Sequence, residues 1–370
     1  MKAHNLLLPD MLARCLKDAL PHDATSVSVS NIRKLDEQGT TTAMYFFTVT
    51  FFSGDAEKRK EFALRIYKEG LEKIGSKEVI LLKKLKLHGL PVPCVYCFEP
   101  NNSVIKHPFM IMERISEITA AHYLNTESSG KTIVDKMAEN LVKIHEFDPN
   151  CLENFEALRE QFELQKRRAL EIRFFIKNHC MNFLGFCPYR QRKFIAAVKQ
   201  LEDAMPEKSR HALLHLDYGP DHILISNGQI TTVDWGEAAV GDPAFDVAWA
   251  YHKLRLGRET SKTDLGKHFV TSYERYLGER LTNLQFYKNM VAIELAFRFF
   301  CCPFNENKLH NCAKLVDLSF GNMIGRLLNE RPMRNLRKIL ENHHTEVWRN
   351  IEYIQDYAIR YLERDRYNQD

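Results

Sequence analysis

Three polar side chains fall within eighteen residues of this chain: Asp217, His222 and Asp234. Asp217 stands where the apolar run Ala212–Leu216 meets a Gly219-Pro220 loop. A loop at the end of a strand holds a side chain exposed on a rigid base. His222 follows as a second apolar run begins, and Asn227-Gly228 is a strong two-residue hairpin signal. A hairpin there returns the chain to Asp234, again at the end of an apolar run and just ahead of Gly236. The hairpin thus brings Asp217, His222 and Asp234 to one edge of a small sheet. One carboxylate so placed orients a hydroxyl and accepts its proton. A second holds Mg2+, a hard cation that takes oxygen ligands and bridges phosphates.

A lone aspartate at a strand end is often a turn residue or a cap. The ordered set Asp217, Asp234, Gly236, Asp242 and Asp246 argues instead for a site. Within it, Asp242 precedes Pro243 and suits a helix start, so Asp242 and Asp246 read as support for the loop and helix. His215 reads as a structural hydrogen-bonding residue and His145 as a helix-packing one. His222 stays open between a metal ligand and a structural residue, because Mg2+ favours oxygen. A metal-dependent hydrolase using His215, Asp217, His222 and Asp234 is a further reading of the same residues. It predicts a tightly held transition metal and no nucleotide donor.

The elements that must position these groups divide by pattern. Ser26–Ile32, Thr42–Phe52 and Phe62–Tyr67 are strands by alternation and by β-branched and aromatic content, with Ser53-Gly54-Asp55 and a charged stretch as the loop. Glu72–His88 repeats apolar residues at helical spacing and ends at Gly89, ahead of Pro91 and Pro93. Cys94–Glu99 and Pro108–Ile115 are two more strands. Helices follow over Gly130–Phe147, Asn154–His179 and Tyr189–Met205. Short strands at Ala212–Leu216, Ile223–Ser226 and Gln229–Val233 interrupt them, and helix resumes from Ala244. Strands first and helices later imply an α+β protein of two lobes, divided into residues 1–116 and 117–370.

The 370 residues are 45% hydrophobic with a net charge of +4, enough for sizeable cores and too weakly basic to indicate nucleic acid. Nine scattered cysteines read as reduced thiols rather than a disulfide framework. Cys94-Val95-Tyr96-Cys97 has the spacing of half a zinc site, but no second such pair occurs in the sequence. The N-terminal apolar run is too short for a signal peptide. Met290–Phe304 is broken by Glu294 and Arg298, where a bilayer span needs about 20 mostly apolar residues. A cytoplasmic protein with no membrane partner is expected. Residues 159–199 are rich in Lys and Arg, a solvated face or a region that attracts anions.

His215-x-Asp217-x-x-x-x-His222 followed by Asp234-Trp235-Gly236 resembles the catalytic loop and metal-binding motif of protein-kinase-like enzymes. Gly241-Asp242-Pro243-Ala244-Phe245-Asp246-Val247-Ala248 narrows the resemblance to the aminoglycoside phosphotransferase and choline kinase group of small-molecule kinases. Leu141–Asp148 is similar to that group's helix before the catalytic loop. The resemblance spans residues 32–251 and implies a bilobal protein-kinase-like fold. Its N-lobe is a small antiparallel sheet, its C-lobe is large and mostly helical, and the nucleotide lies in the cleft. It implies a phosphoryl transfer from ATP or GTP to a hydroxyl of a small molecule, with Mg2+, or alternatively Mn2+. Asp217 is then the catalytic base or acceptor-orienting residue, and Asp234, with His222, holds the metal. Arg65 contacts phosphates and pairs with Glu78; Ala63 lies under the base on the same strand face. Glu113 and Ile115 lie in the hinge that binds adenine, and Gly39, Thr40 and Thr41 form the phosphate-covering loop.

The sequence departs from that pattern in four places. Arginine stands at 65 in place of lysine and histidine at 222 in place of asparagine, and the loop around Gly39 has one glycine. Gly219, two residues after Asp217, offers no side chain to assist transfer. His222 and the single-glycine loop motivate the alternative of a nucleotide-binding regulator of the same fold that does not turn over.

Overall fold

The computed structural model describes residues 2–35, 42–101, 105–115, 118–124, 127–153, 156–163, 201, 203–206, 210–255 and 264–301. Gly39, Thr40 and Thr41 lie outside the described residues, as do most of the helices expected over 154–179 and 189–205 and most of the basic segment. The chain forms two compact units, Met1–His122 with Asp221–Glu237, and Tyr123–Pro220 with Ala238–Asp370. This grouping differs from the contiguous division at residue 116, because one hairpin joins the first unit. The amide of Ile225 donates to the Ile118 carbonyl (2.9 Å) and that of Thr232 to the Pro91 carbonyl (2.8 Å).

The first unit is a five-stranded antiparallel sheet of β1 (Ala24–Lys34), β2 (Thr42–Ser53), β3 (Ala56–Tyr67), β4 (Val95–Glu99) and β5 (Phe109–Glu113). Their order is β1-β2-β3-β5-β4. The charged stretch Glu57–Glu61, expected as loop, belongs to β3 and pairs in register with Phe52–Thr48 of β2. Its backbone completes the ladder while its side chains stay largely at the surface, so polarity there reports exposure and not the end of a strand.

Alternation along the strands gives the sheet two faces. Phe62 and Leu64 of β3, Phe109 and Ile111 of β5, and Phe47, Val49 and Phe51 of β2 form one core with Met11, Leu12, Leu16 and Leu20. Met11 and Leu12 come from α1 (Lys2–Cys15), a helix the sequence reading did not anticipate. Its apolar residues Leu6, Leu7 and Leu8 run together and Pro9 lies inside it, which hides the helical period. The other face carries Ala63, Arg65 and Tyr67, and meets α2 (Glu72–Leu87), whose Glu78, Val79, Leu82 and Leu85 are buried. Gly89 at φ +77° follows α2, as the sequence suggests.

After a single turn, α3 (Ala120–Tyr123), the second unit begins with α4 (Glu127–Glu146). The hairpin of the first unit, β7 (Ile223–Ser226) and β8 (Gln229–Thr232), turns at Asn227 and Gly228, both at positive φ (+49° and +74°). That is the conformation two-residue hairpins require. In the second unit β6 (Ala212–Leu214) pairs antiparallel with β9 (Ala239–Gly241). Three helices follow: α5 (Ala244–Arg255), α6 (Leu265–Leu277) and α7 (Leu284–Cys301). α6 packs on α4 and α5, and α5 also on α7. Asp264 caps α6 by accepting from the Lys267 amide (3.0 Å), and Gly278 at φ +78° ends it. Among the described residues no helix is long and apolar enough to cross a membrane.

Gly241 ends β9 directly under Phe162, and a Cβ there would lie 2.1 Å from that ring. Phe162 is buried against Phe245 and Tyr287 and has no easy way to move. Gly241→Ala should therefore destabilise the protein by about 1–3 kcal/mol, an overpacking cost. A urea titration followed by tryptophan fluorescence measures it; an unchanged midpoint contradicts the packing argument.

Candidate active site

In the second unit, β6 delivers the chain to His215, Leu216 and Asp217, and the first turn of α5 sets their shape. Asp246 is fully buried, and its carboxylate accepts the amides of His215 (2.6 Å) and Leu216 (2.8 Å). Leu216 is held at φ +66°, a left-handed conformation that a residue with a branched side chain rarely adopts. The Asp217 amide then donates to His215 Nδ1 (3.3 Å). His145 Nε2 lies 3.4 Å from Asp246 Oδ2 and its Nδ1 2.7 Å from the Tyr273 hydroxyl. A carboxylate only accepts, so the Nε2-protonated tautomer fits, with Tyr273 donating to Nδ1. His145 thus braces the anchor, beyond the packing role expected of it.

The Asp217 carboxylate is aimed by the same helix. Trp249 Nε1 donates to Asp217 Oδ1 (2.7 Å), and Lys253 Nζ lies 3.6 Å from that oxygen. Asp246, Trp249 and Lys253 recur at helical spacing, so one face of α5 holds both the loop backbone and the Asp217 carboxylate. The Asp217 side chain is 31% exposed. Below it, Tyr218 is buried, donating to the Met137 carbonyl (2.8 Å) and accepting from Asn140 Nδ2 (3.0 Å). Asp242 caps α5 through the Ala244 amide (3.0 Å) and accepts from Asn283 (2.6 Å).

In the first unit the central group is Arg65 on β3, a buried guanidinium. Its Nη1 donates to Glu78 Oε1 (2.9 Å) and its Nη2 to Asp234 Oδ1 (2.5 Å). Burial works against the charge on Arg65, but Asp234 and Glu78 outweigh it and its pKa is raised. Burial pushes the Glu78 carboxyl up, opposed chiefly by Arg65. Glu78 also accepts the Tyr67 hydroxyl (2.9 Å) and the Trp235 amide (3.2 Å), so three groups donate to it inside the unit. An unpaired charge at that depth costs about 3–5 kcal/mol.

Asp234 differs from Glu78 in exposure: 45% of its side chain is accessible against 1%. It adopts φ +68°, which aspartate tolerates better than most residues. His222 Nε2 lies 3.8 Å from Asp234 Oδ2 and 3.9 Å from Asp221 Oδ2. His222 Nε2 thus stands within 4 Å of both carboxylates, but the three side chains do not bring one ligand atom each within 4.8 Å of one another.

Of the residues expected at the site, Arg65, Glu78, Asp234 and His222 meet in the first unit, and Asp217, His215, Asp242 and Asp246 in the second. Ala63 is buried beside Arg65's face of β3. Glu113 donates its amide to the Cys94 carbonyl (2.8 Å), and its carboxylate takes the Cys94 amide (3.1 Å) and Lys86 (3.3 Å). A Cβ on Gly236 would lie 3.6 Å from Glu78 Oε2, an ordinary contact, so steric need does not demand glycine there. His215 is buried with Nδ1 engaged, which removes a ligand from the hydrolase reading. Sequence reasoning missed Asp221, Trp249 and Lys253. Asp221's place beside His222, and the spacing of Trp249 and Lys253 from Asp246, were the signals available.

Two outcomes follow from these contacts. Asp246→Asn swaps an acceptor for an amine facing backbone amides and should cost about 1–3 kcal/mol. Faster hydrogen exchange at His215 and Leu216 than elsewhere in β6 would show that the loss is local. His252, on α5, is buried with Nε2 2.8 Å from the Lys288 carbonyl. Burial, opposed by that carbonyl and aided by the Lys288 and Arg255 charges, lowers its pKa to about 3 from 6.5. Between those values the unfolded chain binds the extra proton, so this group's contribution to stability falls as pH drops through that window. His252→Gln keeps a donor to Lys288 and should remove a slope of roughly 1 kcal/mol per pH unit. Urea unfolding of both proteins between about pH 7 and 4 tests this; parallel curves refute it.

The profile of the phosphotransferase enzyme family matches residues 42–286. A search of curated protein sequences finds no match. Among solved structures, a protein of Ralstonia eutropha JMP134 assigned as an aminoglycoside phosphotransferase aligns with a TM-score of 0.61 at 14% identity, over 96% of this chain and 98% of that one. A thermostable mutant of aminoglycoside phosphotransferase APH(4)-Ia, in ternary complex with AMP-PNP and hygromycin B, aligns with a TM-score of 0.50 at 15% identity, over 85% and 97%. The choline kinase LicA of Streptococcus pneumoniae aligns at 0.47 and 16% identity, over 96% and 98%. At these identities the first two establish the fold, α+β and protein-kinase-like. Since the profile spans well over half of its length, the chain belongs to the phosphotransferase enzyme family.

Proposed function

We propose that this protein is a small-molecule kinase that moves the γ-phosphoryl group of ATP or GTP to a hydroxyl of a small acceptor. The observation that carries the reading is the pair of partly exposed carboxylates, Asp217 held by Trp249 and Lys253, and Asp234 held by the buried Arg65. Asp217, with Oδ1 held by Trp249 and Lys253, orients the acceptor hydroxyl and takes its proton as the bond to phosphorus forms. Asp234 and Asp221, with His222, hold the divalent cation. When bound, that cation, Mg2+ or Mn2+, neutralises charge on the phosphate oxygens. Arg65 steadies the phosphates and keeps Asp234 in place, while Ile115 offers backbone groups to the base. Such a reaction belongs in the cytoplasm, where nucleoside triphosphates are supplied.

A second reading has its own support. Arg65 already covers Asp234 Oδ1, and His222 Nε2 stands 3.8 Å from Oδ2. With His222 protonated, the carboxylate is neutralised without any metal, as suits a nucleotide-binding regulator that does not turn over.

A metabolite panel with ATP or GTP and Mg2+ or Mn2+, read as nucleoside diphosphate formed, separates the two. The kinase reading expects acceptor-dependent turnover that falls about 10²–10⁴-fold in Asp217→Ala, the usual worth of a positioned general base. Trp249→Phe should lower kcat and leave nucleotide affinity unchanged, since it removes the indole nitrogen that holds Asp217 and keeps an aromatic ring against Phe245. Nucleotide binding with wild type no faster than Asp217→Ala across the panel decides for the regulator.

A further inference from the structure

The geometry points to a Zn2+ site on the first unit, made by Cys15, Cys97 and Glu99, that ties α1 to the edge strand of the sheet. One ligand atom from each residue lies within 4.8 Å of the others. Tetrahedral zinc with bonds of about 2.3 Å to sulfur places two thiolates about 3.8 Å apart, so closure takes shifts of an ångström or less. The three residues come from elements far apart in sequence. Cys15 is the last residue of α1, while Cys97 and Glu99 are alternate residues of β4 and so share a strand face.

The placement is built by specific features. β4 lies at the edge of the sheet, and its pairing with β5 shifts register between Val95 and Cys97. Such an irregularity re-aims side chains. It leaves Tyr96 and Cys97 packed against the α1 core, while Phe98 faces Gly75 and Tyr67 on the α2 side. Cys15 packs against that same core. All three ligands are partly buried, which leaves room for a water as the fourth. Two thiolates select a soft or borderline cation over Mg2+, which separates this cluster from the Asp234 site. Cys97 thus finds its partner in Cys15, eighty-two residues upstream, and not in Cys94, which no reading of local spacing would pair.

The site would act as a staple, holding the N-terminal helix on the sheet, and is independent of the phosphotransfer reading. Reduced, chelator-treated full-length protein is titrated with Cd2+ alone and followed by the ultraviolet absorbance of thiolate-to-cadmium charge transfer, which carboxylates and imidazoles do not give. We expect one tight equivalent, weakened at least tenfold in Cys15→Ser and in Cys97→Ser, weakened less in Glu99→Gln, and unchanged in Cys94→Ser. To separate lost binding from misfolding of a serine variant, wild type is also pulsed with iodoacetamide with and without Zn2+ and peptide-mapped. Zn2+ should slow alkylation of Cys15 and Cys97 together, at least tenfold, and leave Cys94 unaffected. Equal alkylation with and without Zn2+, or a charge-transfer band that survives in Cys97→Ser, overturns the assignment.

Discussion

The buried carboxylate of Asp246 is the interaction on which the loop carrying Asp217 rests. A left-handed residue other than glycine costs about 1–2 kcal/mol, and Leu216 adopts that conformation immediately before Asp217. Two hydrogen bonds to a charged acceptor contribute about 1.5–3 kcal/mol each, so the amides of His215 and Leu216 on Asp246 exceed the strain. The strain in turn has a use, because it turns the chain sharply and leaves the Asp217 side chain at the surface. Trp249 and Lys253, further along the same face of α5, then fix which way that carboxylate points. A single helix therefore carries the loop's anchor and the reactive group's partners, and any motion of it moves them together.

The first unit solves a similar problem with the signs reversed. There the buried group is a cation, Arg65, and the exposed carboxylate it positions is Asp234, again on a residue at positive φ. Glu78 supplies the counter-charge that lets Arg65 stay buried, and Tyr67 and the Trp235 amide complete the hydrogen bonding of Glu78. In each unit a partly exposed outer carboxylate depends on a buried inner charge: Asp234 on Arg65 through a direct ion pair, and Asp217 on Asp246 through the loop backbone. The inner members are costly to bury alone and stable only as sets. That makes the positions of the two outer carboxylates stiff.

Much of this was legible before any coordinates. The strand ends at Asp217 and Asp234 and the Asn227-Gly228 turn follow from local pattern, and the Arg65–Glu78 pair from the resemblance. What stayed hidden depends on distance. The helix at residues 2–15 lacks a clean period because Pro9 interrupts it, and only the sheet face it covers reveals its role. The charges of residues 57–61 looked like a loop because a strand tip in water need not be apolar. Asp221 seemed incidental until His222 was seen to sit between two carboxylates. Trp249 reads as core in any sequence, and it is buried; only its indole nitrogen meets the site.

Arginine at 65 changes what the first unit can do. A lysine would place one compact charge there, whereas the planar guanidinium addresses two acceptors at fixed angles. Nη1 serves Glu78 and Nη2 serves Asp234, while Nε has no partner among the described residues. The fork thus couples an inner acid to an outer one through a rigid group. It also neutralises part of the charge on Asp234, so a cation arriving there meets a weaker anion than a solitary carboxylate presents. Asp221 and His222 restore donors on the far side of that carboxylate. Under the proposed kinase reading His222 is the counterpart of Arg65: where one oxygen of Asp234 is committed to Arg65, a cation at the other would be shared with Asp221 and His222.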